Sequence, residues 1–253
     1  MVVVSILVPA FNEARTIERV LTKIGEQKID GFTLEIIVVD DGSTDGSQQL
    51  LASRPDLYSK FIPRQSNGGK GAAVKDGLRA ATGNYVLIQD ADLEYDPVDY
   101  AKLFRPIREH NADVVMGSRF VAPEITRIFY FSHKIGNALI TLIFNLLNNT
   151  TFTDVYCGYL VYRRSLLDGD ALRATSWEQH AEMLTRVVRS ATAIYEVPVS
   201  YHGRTYAEGK KIKARHVFAI IATIIGERFR IGISKLDRAV KATDAPRYKS
   251  ENR

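Results

Sequence analysis

The chain has 253 residues, 45% hydrophobic and 25% charged, which is enough to bury a full-sized core and excludes a disordered protein, so one large domain is the simplest expectation. The net charge of +5 comes with no recognised nucleic-acid-binding motif, so we expect no nucleic-acid partner. The single cysteine, Cys157, and the short uncharged start of the chain favour a reducing, cytoplasmic setting without export.

The first 120 residues alternate between predicted strands and predicted helices. Continuous apolar runs predict buried strands, and apolar residues at helical spacing predict helices. The predicted strands are Val2–Val8, Leu34–Val39, Tyr58–Ile62, Asn84–Ile88 and Asp113–Met116, and the predicted helices are Glu13–Gln27, Ser47–Ser53 and Gly71–Ala81. This alternation is typical of an α/β fold with a mainly parallel sheet flanked by helices, in which ligands bind at the carboxyl ends of the strands.

The second half of the chain is less regular. Its predicted elements are a helix over Ser132–Leu147, a strand over Tyr159–Arg163, a helix over Glu178–Arg189 and a strand over Ala193–Val199. Beyond Asp237 the chain becomes polar and charged, so we expect one domain over residues 1–236 and a flexible tail over residues 237–253.

Two carboxylates directly follow the predicted strand that ends at Ile88. Asp90 and Asp92 can share one ion, and hard oxygen ligands suit Mg²⁺ or Mn²⁺, which fill their remaining positions with water and phosphate oxygens. The alternative is a helix cap ahead of residues 93–100, because Asp is also a preferred capping residue. The triplet alone leaves both interpretations open.

Two further polar segments follow predicted strands or open predicted helices. Asp40 and Asp41 stand where base or ribose hydroxyls can be read by hydrogen bonds, although a strand-to-helix turn with a capping residue is the simpler alternative. The glycine-rich segment Asn67–Gly71, with Lys70 inside it, is typical of a phosphate-binding loop but does not match the Walker pattern, and a plain loop remains the alternative.

Taken in order, these segments resemble family 2 glycosyltransferases of the GT-A fold. The matching segments are Val8–Glu13, Asp40–Ser47, Asn67–Ala72, Gln89–Asp92 with Asp96–Pro97, and Gly117–Phe120. The likeness continues through Asp154–Tyr159, Tyr195–Val199 and Arg204–Lys211. This combination is similar to the dolichol-phosphate mannose synthase branch, whose members transfer a sugar to a polyprenyl phosphate.

The resemblance implies roles for the matching residues. It implies a nucleotide-sugar-binding half over residues 1–120 and an acceptor and membrane-interface half over residues 121–236. Cations at these positions should face phosphate groups, which guanidinium and ammonium groups bind well. The implied metal ligands are Asp90 and Asp92; the implied nucleotide-sugar site is Pro9, Phe11, Glu13, Asp40, Asp41, Lys70, Asp90, Ala91, Asp92 and Lys210; and the implied catalytic set is Asp92, Arg119, Asp154, Glu182 and Arg204.

The acceptor decides whether this inverting, Mg²⁺- or Mn²⁺-dependent reaction needs a general base. A hydroxyl acceptor needs a positioned carboxylate, for which Asp154 and Glu182 are the candidates. A phosphate monoester is already a nucleophilic anion at neutral pH, so it needs none. His180 stands where related sequences often carry an acid, and we interpret it as a residue on the exposed face of a helix.

The helix over Ser132–Leu147 is apolar over more than the face that a core contact needs. Its polar side chains recur every three or four residues and form one narrow polar stripe, made of Lys134, Asn137, Thr141, Asn145 and Asn148. Val217–Leu236 has a similar character, with Arg228 and Arg230 beside its apolar face. Both helices suit a membrane interface, and packing in the core or in a homodimer is the alternative.

Three functions are therefore compared. The first is transfer of a sugar from a UDP- or GDP-sugar to a polyprenyl phosphate by an enzyme bound peripherally at the inner face of the membrane. The second keeps the donor and uses a saccharide hydroxyl in surface-polysaccharide or glycolipid synthesis. The third is a nucleotide-sugar or lipid-binding protein without turnover, against which the intact pair Asp90 and Asp92 argues, because a binder does not need a metal at the leaving group.

Overall fold

The computed structural model of the chain describes residues 1–121, 131–203 and 217–230, which form one sheet flanked by helices. The strands are β1 (Val2–Ala10), β2 (Phe32–Asp40), β3 (Lys60–Pro63), β4 (Tyr85–Ile88), β5 (Val114–Ser118), β6 (Leu160–Arg163) and β7 (Ile194–Pro198). The helices are α1 (Ile17–Gly25), α2 (Ser47–Ser53), α3 (Lys70–Ala80), α4 (Tyr100–His110), α5 (Phe131–Asn148), α6 (Gln179–Ser190) and α7 (residues 217–230).

The seven strands lie in the order β3-β2-β1-β4-β6-β5-β7. Strand β1 pairs in parallel with β2 and with β4, and β5 pairs in parallel with β7. Strand β6 alone among them runs antiparallel, between β4 and β5. The carboxyl ends of β1, β2, β4 and β5 therefore meet the amino end of β6 at one edge of the sheet, and the predicted α/β class with a mainly parallel sheet is confirmed.

Helices cover the sheet with their apolar faces, as the pattern of α1 illustrates. Its residues Ile17, Val20, Leu21 and Ile24 are buried, as their spacing predicts. The helix begins at Ile17 rather than at Glu13, because residues 14–16 form a turn that contacts the loop after β2. Helix α4 (Tyr100–His110) was not predicted, and a short 3₁₀ turn over Pro97–Asp99 precedes it.

Helix α5 differs from an ordinary surface helix because it carries apolar residues on its outer face as well as on its inner face, where Ile140 and Phe144 are buried in the core. Its outer face, made of Ile135, Leu139, Leu142 and Leu146, is 46–75% exposed. Its polar stripe, from Asn137 onward, lies on the inner face beside Ile140 and Phe144, whereas the outer face of a surface helix in water is normally polar.

Helix α7 lies beside α5, since Gly136 faces Val217. It also exposes large apolar side chains, namely Phe218, Ile225 and Phe229. In the parts of the chain that are described, no helix has the length and apolar content needed to cross a membrane. The predicted division into two functional halves stays a prediction, and the predicted tail over 237–253 lies outside the described residues.

Candidate active site

A cavity of about 350 Å³ opens at the edge where the strand ends meet. Its size is that of a small-molecule site. The segments Val8–Glu13, Asp40–Ser47, Asn67–Ala72, Gln89–Asp92 and Gly117–Phe120 each contribute residues to its walls. The predicted site residues that line it are Pro9, Phe11, Glu13, Asp41, Lys70, Asp90, Ala91, Asp92 and Arg119.

The two acids after β2 have different positions. Asp41 lines the cavity, where its carboxylate accepts hydrogen bonds from the backbone N–H groups of Gly68 (3.0 Å) and Gly69 (2.8 Å) and pairs with Arg64. Asp40 is fully buried and does not line the cavity, and its Oδ2 accepts from the backbone N–H of Ser43 at 3.0 Å. Asp40 thus forms the turn, whereas Asp41 holds the glycine-rich loop against the end of β2.

Glycine is required in this turn by conformation and by space. Gly42 has a φ of +72°, in the left-handed region that favours glycine, and a Cβ atom there would stand 2.7 Å from the backbone carbon of Ser66. The turn after β2 and the glycine-rich loop are therefore in direct backbone contact, and the capping alternative explains only part of this segment.

The two carboxylates after β4 both face the cavity. Asp90 forms an ion pair with Lys70 at the start of α3, and Asp92 accepts a hydrogen bond from the backbone N–H of Glu94 at 3.1 Å. The helix-cap alternative belongs instead to Asp96, whose side chain accepts from the backbone N–H of Val98 at the start of the 3₁₀ turn. Asp90 and Asp92 therefore place two half-buried carboxylates at the cavity wall.

These two carboxylates fit a hard divalent cation. Among the described residues there is no group of three or more His, Cys, Asp or Glu side chains that could hold a metal by themselves. Mg²⁺ is usually bound by only one or two carboxylates, with water and phosphate oxygens as its other ligands. Lys70, beside Asp90, is a cation that can also contact phosphate oxygens in the same place.

Arg119 and Asp154 form a buried ion pair beside the cavity. The Nε of Arg119 donates to Oδ2 of Asp154 at 2.6 Å, and its Nη2 donates to Oδ1 at 2.8 Å. The guanidinium lies 5.1 Å from the centre of the Tyr201 ring. Burial would raise the pKa of Asp154, but the charge of Arg119 and its hydrogen bonds hold that pKa below the ordinary value. Arg119 lines the cavity, whereas Asp154 stands behind it.

Glu182 does not line the cavity either. Its carboxylate is buried and accepts from the backbone N–H groups of Arg173 (3.0 Å) and Ala174 (2.8 Å), and it pairs with Arg186. The segment that it holds packs on the glycine-rich loop, where the carbonyl of Thr175 accepts from the N–H of Gly71 at 2.9 Å. In this structure the contacts of Glu182 are those of a residue that fixes a loop.

His180 lines the cavity, so the interpretation of this residue as an exposed helix position is wrong. Helix α6 begins at Gln179 and points the imidazole inward, with Nε2 3.2 Å from the carbonyl oxygen of Val155 and the ring edge-to-face with Tyr156. Burial, reinforced by the charge of Lys70, lowers the pKa of His180 to about 4. The imidazole is therefore neutral at pH 7.

Several aromatic residues of the cavity wall were missed by the sequence analysis, among them Tyr156, Trp177 and Tyr201. Tyr156 donates its hydroxyl to the carbonyl of Trp177 at 2.5 Å, and Tyr201 donates to Glu94 at 2.7 Å. Of these three, only Tyr156 carries a signal in the sequence, because it lies in one of the matched segments. The predicted residues Arg204 and Lys210 lie outside the described residues.

Comparison with known proteins agrees with this geometry. Residues 5–169 match the model of the family described as "Glycosyl transferase family 2". The glycosyltransferase AglJ of Haloferax volcanii is 30% identical over 205 residues, covering 79% of this chain and 63% of that protein. The dolichol-phosphate mannosyltransferase of Pyrococcus furiosus is 27% identical over 241 residues, covering 94% of this chain and 66% of that protein. The chain thus spans just under two thirds of the length of both relatives.

A solved structure has the same fold. Glucosyl-3-phosphoglycerate synthase of Mycobacterium tuberculosis, crystallised with Mn²⁺, uridine diphosphate and phosphoglyceric acid, superimposes with a TM-score of 0.67 at 21% identity. The match covers 90% of this chain and 78% of that one. At this identity the likeness supports the Rossmann-like GT-A fold predicted from the sequence.

Proposed function

This chain belongs to glycosyl transferase family 2, and we propose that it transfers a sugar from a nucleoside-diphosphate sugar to a polyprenyl phosphate at a membrane surface. The observation that carries the acceptor part is the exposed apolar outer face of α5, on a helix whose polar stripe from Asn137 onward lies inward. This helix exposes its apolar outer face and turns its polar stripe toward the residues that hold Arg119. A lipid acceptor accounts for both features, because its chain lies among apolar groups and its phosphate needs a cation.

The donor half of the proposal uses the residues at the ends of β1, β2 and β4. Asp41 accepts hydrogen bonds from the N–H groups of Gly68 and Gly69. These bonds keep the glycine-rich loop at the cavity, where the nucleoside diphosphate would lie. Asp90 and Asp92 would hold Mg²⁺ or Mn²⁺, which when bound neutralises charge on the diphosphate leaving group. Lys70 stands beside Asp90 and supplies a second positive charge to that group.

The acceptor half uses Arg119. Its guanidinium lines the cavity and is held in place by Asp154 and by the carbonyl of Tyr156, so it is a fixed positive charge that can attract the acceptor phosphate. A phosphate oxygen held there attacks the anomeric carbon in line with the departing diphosphate, which inverts the configuration. The phosphate is already an anion, so no proton has to be removed from the nucleophile.

The contacts of the two predicted bases favour this acceptor over a saccharide hydroxyl. The carboxylate of Asp154 is fully buried, is committed to Arg119 and has a lowered pKa. The carboxylate of Glu182 is buried on backbone N–H groups away from the cavity. Neither carboxylate lines the cavity. The name of the Pyrococcus furiosus relative, a dolichol-phosphate mannosyltransferase, points to the same class of acceptor.

The test incubates the purified chain and Mn²⁺ with a panel of UDP- and GDP-sugars, with or without a short polyprenyl phosphate or a panel of saccharides. We expect one donor to be consumed with formation of a glycolipid only when the polyprenyl phosphate is present. Asp92→Asn serves as the inactive control. Consumption of donor with a saccharide and not with the lipid would overturn the proposal, as would binding of donor without turnover under every condition.

A further inference from the structure

The carboxylate of Asp154 accepts hydrogen bonds both from Arg119, which lines the cavity, and from helix α5. It accepts hydrogen bonds from the backbone N–H of Arg119 at 3.1 Å, from the guanidinium of Arg119 at 2.6 and 2.8 Å, and from Nδ2 of Asn137 at 3.1 Å. Asp154 is fully buried, so water does not compete for these positions. Three of the four donors belong to Arg119, and the fourth comes from the helix whose outer face is apolar.

Asn137 is half-buried and sits on the polar stripe of α5, on the side away from the outer face. The residues that follow it on the stripe bind the same loop. The hydroxyl of Thr141 lies 3.4 Å from the N–H of Val155, and Asn145 donates to the carbonyl of Phe152 at 2.8 Å. Helix α5 is thus tied to residues 152–155, and Asn137 is the member of the stripe that reaches the carboxylate holding Arg119.

We propose that Asn137 is a positioning residue, which links the seating of α5 to the orientation of the Arg119 guanidinium through the carboxylate of Asp154. The inference rests on the proposed function in so far as Arg119 receives the acceptor phosphate. Both oxygens of Asp154 must face Arg119 for the paired hydrogen bonds to form, and the Asn137 amide fixes the rotation of that carboxylate. A shift of α5 along or away from the sheet then changes the position of Arg119.

The variants Asn137→Leu and Asn148→Leu test this link as a matched pair. Asn148 lies on the same stripe of the same helix, but its amide donates to the carbonyl of Phe144 within α5 and does not contact Asp154. Both substitutions replace an amide by an apolar group of similar size. A general effect on the helix therefore appears in both variants, whereas an effect through Asp154 appears only in the first.

We expect Asn137→Leu to raise the KM for a short polyprenyl phosphate about tenfold, the order of effect of one hydrogen bond to a charged group. The KM for the nucleotide sugar should change less than about twofold, because Asp90, Asp92 and Lys70 keep their contacts. Asn148→Leu should keep both KM values near those of the unaltered chain. Asn137→Asp, which sets a second carboxylate against Asp154, should have a larger effect in the same direction.

A second measurement reports on the accessibility of the Arg119 guanidinium in the absence of any acceptor. Phenylglyoxal modifies accessible guanidinium groups, and peptide mass spectrometry measures the rate at Arg119 in each variant. We expect the rate to rise severalfold in Asn137→Leu and to stay unchanged in Asn148→Leu, with thermal unfolding confirming that both variants are folded. Equal modification rates in the two variants would overturn the role of Asn137, whatever acceptor the enzyme uses. Failure of the unaltered chain to glycosylate polyprenyl phosphate would overturn only the proposed function.

Discussion

Helices α1 and α5 both lie at the surface of the fold, yet they expose different kinds of side chain to their surroundings. In α1 the apolar residues Ile17, Val20 and Ile24 are buried and Arg19 is exposed. In α5 the apolar outer face is exposed and amides such as Asn137 are turned inward. The first arrangement is stable in water. The second leaves apolar surface uncovered, so the two helices suit different surroundings.

The residues proposed to bind the donor, within residues 1–118 (the donor half), are held differently from those proposed to bind the acceptor, which are Arg119 and described residues after it (the acceptor half). In the donor half, backbone groups near the strand ends hold the site residues in place. The backbone N–H groups of Gly68 and Gly69, for example, donate to the carboxylate of Asp41. In the acceptor half, a chain of side chains holds Arg119 through Asp154. The comparison predicts that substitutions in the donor half remove chemistry, and that substitutions in the acceptor half change stability, attachment or acceptor affinity.

The largest effect is expected for Asp92→Asn in the donor half. The amide keeps the size of the side chain but loses the negative charge that would bind the cation, so transfer should fall by at least about a thousandfold. The melting temperature should stay within a few degrees, because the side chain is half-buried at the cavity wall. Initial rates at saturating Mn²⁺ and donor, together with thermal unfolding, measure both quantities. A folded variant with nearly full turnover would exclude a metal role for Asp92.

A smaller effect, on stability, is expected for Glu182→Ala. Removal of the carboxylate leaves the part-buried backbone N–H groups of Arg173 and Ala174 without their acceptor and leaves Arg186 paired with Glu227 alone, which should lower the free energy of unfolding by about 3 kcal/mol. Urea denaturation measures the loss. The rate constant of transfer in the remaining folded protein should stay within about tenfold. A loss as large as that of Asp92→Asn in a variant of unchanged stability would support the catalytic role that the family resemblance implies for Glu182.

Attachment to lipid should depend on the outer face of α5. The double substitution Leu142→Glu and Leu146→Glu removes two apolar side chains, each worth about 1.5–3 kcal/mol when buried, so binding to vesicles of zwitterionic and anionic lipid should weaken about 100-fold or more. Vesicle co-sedimentation measures the binding. Val98→Glu is the control, because Val98 is 59% exposed in the donor half. Unchanged lipid binding, or conversion of a dimer to a monomer by the double substitution, would assign the outer face to a protein partner.

The smallest effect concerns pH. Because the pKa of His180 is lowered to about 4 from an ordinary 6.5, the unfolded chain binds more protons than the folded one between these values, and stability rises with pH across this window. Between pH 5 and 7 this single group should contribute about 2 kcal/mol, and its contribution should be constant above pH 7. His180→Asn should remove that part of the slope in urea denaturation. A parallel slope in the variant and the unaltered chain would show that the imidazole is not buried as described.

The donor half could be predicted from the sequence because its signals are local. Buried parallel strands are continuous apolar runs, and the polar residues of the site stand directly after them, so the apolar runs alone indicate where Asp41, Asp90 and Asp92 lie. The direction of β6 was not predictable, because a four-residue apolar run has the same appearance in either direction. Helix α4 was missed because the capping alternative was placed at Asp90–Asp92, ahead of residues 93–100, whereas the capping side chain is that of Asp96.

The acceptor half resisted prediction for a different reason. The periodicity of α5 shows that its two faces differ, but it does not show which face meets the protein. The partners of Glu182 and Asp154 are likewise tertiary: backbone N–H groups for one, and Arg119 with Asn137 for the other. The position of His180 was not predictable, because a lone histidine at the start of a helix gives no indication of the cavity beside it.

Because β6 lies antiparallel beside β5, the chain between these two strands begins and ends at the same edge of the sheet. Met116 in β5 pairs with Leu160 in β6, so the chain leaves the sheet after β5 and returns at an adjacent point. Residues 119–159, which include α5, therefore form one connection whose two ends are fixed by the paired strands β5 and β6. Loop-closure entropy changes slowly with length, so a connection of different size would cost little more in closure entropy. Under the proposed function, this one connection carries Arg119, Asn137 and Asp154, so a protein engineer who replaces it would exchange the residues assigned to the acceptor and leave the donor strands unchanged.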